Sequence, residues 1–196
     1  NQSLEHSVLE RTRELQEANE RLKELSITDP LTGLYNRRHF QNHLQEIWEL
    51  AKRNHATISI IMCDIDHFKE VNDHYGHMMG DQVLKEVGSV LKNSLKRATD
   101  FLARYGGEEF IIVLYDTDIS AARELCTAVQ NNLKAIDGFA YQEATIPPIT
   151  LSFGIGSMVP NERNRFEHLI KMADCALYQA KEQGRNRIVL FAEDDR

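Results

Sequence analysis

No apolar run among the 196 residues approaches the roughly 20 needed to cross a bilayer. No stretch combines the basic start, apolar middle and small-residue end of a secretory leader. The chain is therefore expected to make no membrane contact and to be cytoplasmic. Cysteine is scarce. Cys63, Cys126 and Cys175 lie inside apolar stretches without CxxC spacing, which argues against a zinc or disulfide framework and predicts buried, reduced thiols. Positive charge is in deficit, with 23 Lys and Arg against 30 Asp and Glu and a net charge of −7. That balance excludes wrapping a nucleic-acid polymer, because such affinity comes from neutralising phosphates. A small anionic ligand stays open if basic residues are local or a metal is recruited. The first residue is Asn1 rather than Met, and the sequence is expected to be a fragment whose upstream part carries a membrane or sensor segment.

What is present is enough for a core. Hydrophobic residues make up 42%, which fits one globular domain with a modest appendage. The appendage is residues 1–27. Its stretch SLEHSVLERTRELQEANERLKELSI contains neither Gly nor Pro and is rich in helix formers. With Val8, Leu15 and Leu22 at heptad position a, Leu4, Ala18 and Leu25 fall at d, and Arg11 alone breaks the seam. A polar helix with a single apolar seam has little to bury except a second copy, so a dimeric coiled coil of about three heptads is predicted. Asp29-Pro30 closes it, because the residue before proline is driven out of the helical region.

A globular domain over 28–196 follows. Phe40, Leu44, Ile47 and Ala51 space a helix, Thr57 to Asp66 form an apolar strand ending in acid, and Val83, Leu84, Val87, Val90, Leu91 and Leu95 space a second helix. Gly106-Gly107 between two apolar runs reads as the tip of a hairpin, with Glu108 and Glu109 directly behind it. A helix from about 120 to 136, a strand from 149 to 159, a helix from 166 to 183 and a strand from 187 to 191 complete the pattern. This alternation predicts an α/β sheet flanked by helices and containing one antiparallel hairpin. Trp48 is expected to pack in the core.

The chemistry concentrates at strand ends. Asp64, Asp66 and Glu108 come from elements that can neighbour one another, and carboxylates gathered against their own repulsion point to a hard cation such as Mg²⁺. The competing reading is that Asp64 and Asp66 merely begin a loop. Just after them, HFKEVND supplies Lys69 and a run of backbone amides suited to phosphate oxygens. Asn72 and Asp81 have the donors and acceptors to read a guanine edge. Lys181 and Arg185 flank a helix end capped by Gly184, where favourable charge at a C-terminus is the alternative explanation. His67, His74 and His77 match no structural zinc spacing and have no cysteine beside them.

GGEEF (Gly106 to Phe110), with DPLTGLYNRR (Asp29 to Arg38), DIDHFKEVNDHYGHMMGD (Asp64 to Asp81), LSFGIG (Leu151 to Gly156) and ADCALYQAKEQGRNR (Ala173 to Arg187), resembles the GGDEF-domain diguanylate cyclase family. The five motifs stand in family order over roughly Asp29 to Phe191. The resemblance implies a palm-like mixed sheet with a central antiparallel hairpin, similar to nucleotidyl cyclases. It also implies condensation of two GTP into cyclic di-GMP and two pyrophosphates, with Mg²⁺, or Mn²⁺ in its place. By the same resemblance, Asp64, the Ile65 carbonyl and Glu108 match metal ligands. Glu108 also matches the base for the attacking hydroxyl, with Glu109 assisting. Asn72 and Asp81 match guanine readers, and His77 a substrate contact. Phe68 through its amide, Lys69, Lys181 and Arg185 match phosphate binders. Gly107 fits close approach to substrate. His67 stands where the family often has Phe.

One protomer would hold one GTP, so two domains must face each other, and the coil is a device for raising their effective concentration. Glu10 to Thr12 resemble a signalling-helix signature. Arg97 and Asp100, five residues ahead of the GGEEF, resemble the family's inhibitory product site. A surface charge pair is the alternative. Ala128 replaces an arginine by which the family often bridges a partner domain, so the resemblance does not extend to that lock. Two rival functions come from other classes. One is a non-catalytic receptor for GTP or cyclic di-GMP signalling through the coil; the other is a plain dimerisation linker. Intact acids favour the enzyme over both.

Overall fold

The computed structural model describes residues 10–13, 27–136, 139–141, 144–146 and 148–192. Its elements run β1 (Tyr35–Asn36), α1 (Arg37–Asn54), β2 (Ile58–Ile65), α2 (Phe68–Tyr75), α3 (His77–Ser94), β3 (Phe101–Gly106) and β4 (Glu109–Tyr115). They continue with α4 (Ile119–Lys134), β5 (Phe139–Tyr141), β6 (Ala144–Ile146), β7 (Leu151–Met158), α5 (Phe166–Glu182) and β8 (Ile188–Leu190). Residues 10–13 are helical; the rest of the predicted coil, 1–9 and 14–26, lies outside the described residues.

Six strands form one mixed sheet in the order β1-β3-β4-β2-β7-β8, and β5 pairs with β6 separately. The strand β2 is antiparallel to both neighbours, β4 and β7, while β1 and β8 join the two flanks in parallel. All eight residues of β2 are buried, which is why its sequence is a continuous apolar run instead of an alternating one. Successive side chains still point to opposite faces. Ile61, Cys63 and Ile65 join a core with Val83, Val87 and Leu91 of α3 and Cys126 and Val129 of α4. Ile58, Ile60 and Met62 join another with Phe40 and Leu44 of α1 and Leu169, Met172 and Leu177 of α5. Trp48 packs edge-on against Phe166, with ring centroids 6.3 Å apart. The two cores leave Asp64, in phase with Ile60 and Met62, on the α5 face.

Four elements go beyond the expected pattern. The eight-residue α2 follows β2 where the sequence showed a run of amides, its apolar signal being limited to Phe68 and Val71. The two-residue β1 and the β5–β6 pair are too short for periodicity to reveal. The hairpin tip is also displaced by one residue. Gly106 pairs with Glu109, across a register shift between Arg104 and Gly106, so Gly107 and Glu108 make the turn. Gly107 takes φ +54°, the left-handed conformation that glycine adopts without Cβ strain.

Candidate active site

That displacement changes the two glutamates. Glu108 stands in the turn itself, while Glu109 opens β4 directly opposite Asp64 in the ladder. The Ile65 amide donates to the Glu108 carbonyl at 3.3 Å, binding the hairpin tip to the end of β2. Lys181, near the C-terminus of α5, places Nζ 2.7 Å from Asp64 Oδ2. Asp64, Ile65, Glu108, Glu109 and Lys181 are therefore brought to one end of the two central strands.

Their electrostatics are strained by design of the fold. Asp64 is only 6% exposed; burial pushes its carboxyl up to about 6, Lys181 opposes this, and Glu108 and Glu109 add to it. Burial likewise raises Glu109, opposed by Lys181 and reinforced by Asp174 and Glu108. Acids held above their ordinary range by burial and by each other are relieved when a cation or donor arrives.

Asp66 does not belong to this set. It accepts from Thr150 Oγ1 at 2.7 Å, Ser152 Oγ at 2.6 Å and the Asn186 amide at 3.0 Å. Those three bonds engage both of its oxygens and tie β2 to the start of β7 and to the turn after α5. Its reading as a cation-gathering acid is corrected to a tether. The turn it holds carries Arg185, at φ +60°; the His67 hydrogen bond chiefly holds the nearby Glu70 carboxyl below its ordinary range, with smaller contributions from His74 and Arg185.

Phe68, Lys69, Asn72, His77 and Asp81 sit on α2 and α3. Phe68 and Lys69 open α2, and as first-turn residues their amides have no partner within the helix; the His67 carbonyl takes the Glu70 and Val71 amides. His67 occupies φ +57° and pairs with Glu70 at 2.7 Å. Asn72 is half-buried, and His77 and Asp81 are exposed on the first turns of α3. Among the described residues, no three His, Cys, Asp or Glu side chains form a ready-made metal cage.

Arg97 and Asp100 lie apart from the acids, on a concavity of about 430 Å³ that Tyr35 and Lys92 also line. They do not simply pair with each other. Arg97 Nη1 donates to Thr117 Oγ1 at 2.8 Å, and the Arg97 amide donates to Asp100 Oδ2 at 3.0 Å. Asp100 Oδ1 is buried without a partner, which is costly unless a donor completes it.

Two residues missed in the sequence hold the hairpin. Arg104 donates through Nε and Nη2 to the Gly107 carbonyl at 3.0 and 2.8 Å, and through Nη1 to both Asp29 oxygens at 3.2 Å. Asp29 also accepts from the Thr32 amide and hydroxyl at 2.9 and 2.8 Å. Partial burial raises its carboxyl, but the Thr32 bonds and Arg104 outweigh this and hold it below the ordinary range. The D-x-x-T spacing of an Asx turn was the available signal.

A sheet of this order, with its acids at one end of the central strands, is the architecture of the palm-like nucleotidyl cyclases. Within that class, the family model described as diguanylate cyclase, GGDEF domain, matches residues 26–187, and the chain belongs to this family. It is 39% identical over 168 residues to the probable diguanylate cyclase DgcT of Escherichia coli, covering 86% of this chain and 36% of that protein. The solved coiled coil and GGDEF domain of DgcB from Caulobacter crescentus, in complex with c-di-GMP, superposes with a TM-score of 0.79 at 30% identity, covering 96% of this chain and 99% of that one. The active GGEEF domain of a diguanylate cyclase from Vibrio cholerae gives 0.73 at 31% identity, covering 81% and 98%. The chain thus spans about a third of the length of DgcT.

Proposed function

We propose that this chain condenses two GTP into cyclic di-GMP and two pyrophosphates, each 3′-hydroxyl attacking the α-phosphate of the other nucleotide. The observation that carries this reading is the meeting of Asp64, the Glu108 turn and Lys181 at one end of β2 and β4. The Asp64 and Glu108 carboxylates with the Ile65 carbonyl suit Mg²⁺, or Mn²⁺ in its place, since a hard cation takes a few protein oxygens and leaves its other positions to phosphate and water. Bound there, such a cation supplies charge stabilisation to the phosphoryl oxygens and lowers the pKa of the attacking hydroxyl.

The chain's own groups do the rest. Glu108, in the turn, accepts the proton of the attacking hydroxyl, and Glu109 keeps the local charge negative. Gly107 offers no side chain to crowd the phosphates. Lys181, Arg185, Lys69 and the Phe68 amide bind phosphate oxygens, Asn72 and Asp81 read guanine, and His77 borders the substrate. Each protomer holds one GTP, so the working unit is a homodimer, assembled through the N-terminal coil. The concavity at Arg97 and Asp100 takes the product: guanine N–H groups satisfy the orphaned Asp100 oxygen, and Arg97 forks onto a guanine or phosphate edge.

The test is incubation of the purified chain with GTP and Mg²⁺, followed by chromatography of the products, beside Glu108→Gln. The substitution keeps volume and removes charge. Cyclic di-GMP is expected from the wild type and at least about a hundredfold less from the variant, with unchanged circular dichroism. A variant within a few-fold of wild type would remove Glu108 from the chemistry.

A further inference from the structure

Gly80 sits inside α3, buried, where glycine weakens a helix relative to almost any other residue. Its φ is not left-handed, so backbone geometry does not require it. What requires it is a neighbour. A Cβ at this position would collide with Asn72 Oδ1 and lie 3.0 Å from Asn72 Cγ and 3.2 Å from Phe68 Cζ. The obstructing group is the carboxamide of Asn72, reaching across from α2 to rest on α3. Gly88, in the same helix, shows no such collision: its nearest neighbour would be Leu34 Cδ1 at 3.2 Å.

We infer that Gly80 is a positioning residue for base specificity, its missing side chain providing the seat in which the Asn72 carboxamide is held beside Asp81. This rests on the reading of Asn72 and Asp81 as the residues that recognise guanine. A carboxamide presents one acceptor and one donor group in a fixed plane, and that pattern discriminates between purines only when the plane is immobilised. The space left by the missing Gly80 side chain, which the Phe68 ring also borders, is where Asn72 Oδ1 lies, and that seat restricts how the plane can turn. An added methyl meets the end of a side chain rather than backbone, so the helix pair can stay packed while the carboxamide turns away. The cost then falls on nucleotide recognition, where a lost or misaimed hydrogen bond leaves polar groups unpaired.

The experiment is a double-substitution cycle with Asn72→Ala, Gly80→Ala and the pair. KM for GTP, kcat, the preference for GTP over ATP, and affinity for a non-hydrolysable GTP analogue with Mg²⁺ are measured on the full chain. Gly80→Ala is expected to raise KM roughly tenfold and erode the preference for GTP, with kcat changed by less than about twofold. Asn72→Ala should do the same, and the pair should be no worse than either alone, since both act on one carboxamide. Additive losses in the pair, or wild-type recognition by Gly80→Ala when Asn72→Ala is impaired, would overturn the inference. Wild-type recognition by Asn72→Ala would instead overturn the underlying assignment of the base readers. If Gly80→Ala lowers the melting temperature, removing the Asn72 side chain should restore it, because the collision is then gone. Failure of that restoration also overturns the seat.

Discussion

Asp64 and Asp66 are the same residue two positions apart, and their surroundings give them opposite tasks. Asp66 has three donors and works as a tether. Asp64 has Lys181 on one oxygen and acids around it, and burial raises its carboxyl from 3.8 to about 6. In metal-free protein this has a sign. Between about pH 4 and pH 6 the folded state holds a proton that the unfolded chain has released, so stability falls as pH rises through that window. Above it the cost of the buried charge is fully present. Asp64→Asn, in chelator, should therefore melt higher than wild type at pH 7 to 8, by roughly 1–2 kcal/mol once the lost Lys181 contact is discounted. The gap should close below about pH 4, and the variant should make no cyclic di-GMP. A variant that melts lower at pH 8, or whose gap ignores pH, would show that Asp64 is not held at a cost. The motif resemblance singled out Asp64 in the sequence, but the task of Asp66 was not legible there, because its donors Thr150, Ser152 and Asn186 lie far from it along the chain.

Between elements, the positioning of Lys181 depends on how closely α5 approaches the sheet. Residues 152, 154 and 156 of β7 face α5, and Gly154 and Gly156 let its backbone rest directly on the strand. A Cβ at Gly154 would collide with the Leu177 amide nitrogen and the Ala173 carbonyl and lie 2.7 Å from Ala176 carbonyl carbon. Backbone cannot swing aside as Asn72 can, so Gly154→Ala should push α5 outward and carry Lys181, one turn beyond Leu177, off Asp64. A loss of about 1–3 kcal/mol is expected, as for other overpacked cores, read as a lower urea midpoint at unchanged slope. Residual activity should fall further than the folded fraction does. A wild-type midpoint would mean that the helix has room. The LSFGIG motif was visible as a motif, but its purpose, close helix-on-strand packing, was not, since the sequence does not state which helix lies over which strand.

At the scale of the whole molecule, one protomer supplies one set of acids and one pair of proposed base readers, whereas the proposed reaction joins two nucleotides. Deleting residues 1–25 should therefore lower specific activity most at dilute protein, with recovery as concentration rises and mass action replaces the tether. Equal, concentration-independent activity would show that the coil does not assemble the pair. The proposed product control belongs to the same scale, because the concavity at Arg97 and Asp100 does not include Asp64, Glu108 or Glu109. Arg97→Ala should keep its initial rate, run further before slowing and bind cyclic di-GMP about tenfold or more weakly, the loss of a charge-assisted fork costing roughly 1.5–3 kcal/mol. Equal product binding by calorimetry would reduce Arg97 to the Thr117 contact it already makes.

The sequence by itself determined the order of the main helices and strands, the apolar identity of the central strand and the ordered motifs that place the chain in its family. These signals are local: periodicity, turn residues and short spacings are set by neighbours a few positions away. Tertiary structure alone decided that Glu108 belongs to the turn and Glu109 faces Asp64, that Asp66 is consumed as a tether, and that Arg104 joins Asp29 to the hairpin tip. It also decided that Gly80 and Gly154 are empty for two different reasons, one to seat a carboxamide and one to admit a helix. Each of these depends on strand register or on atoms contributed from distant parts of the chain, and a shift of one residue in register sends a side chain to the opposite face of the sheet.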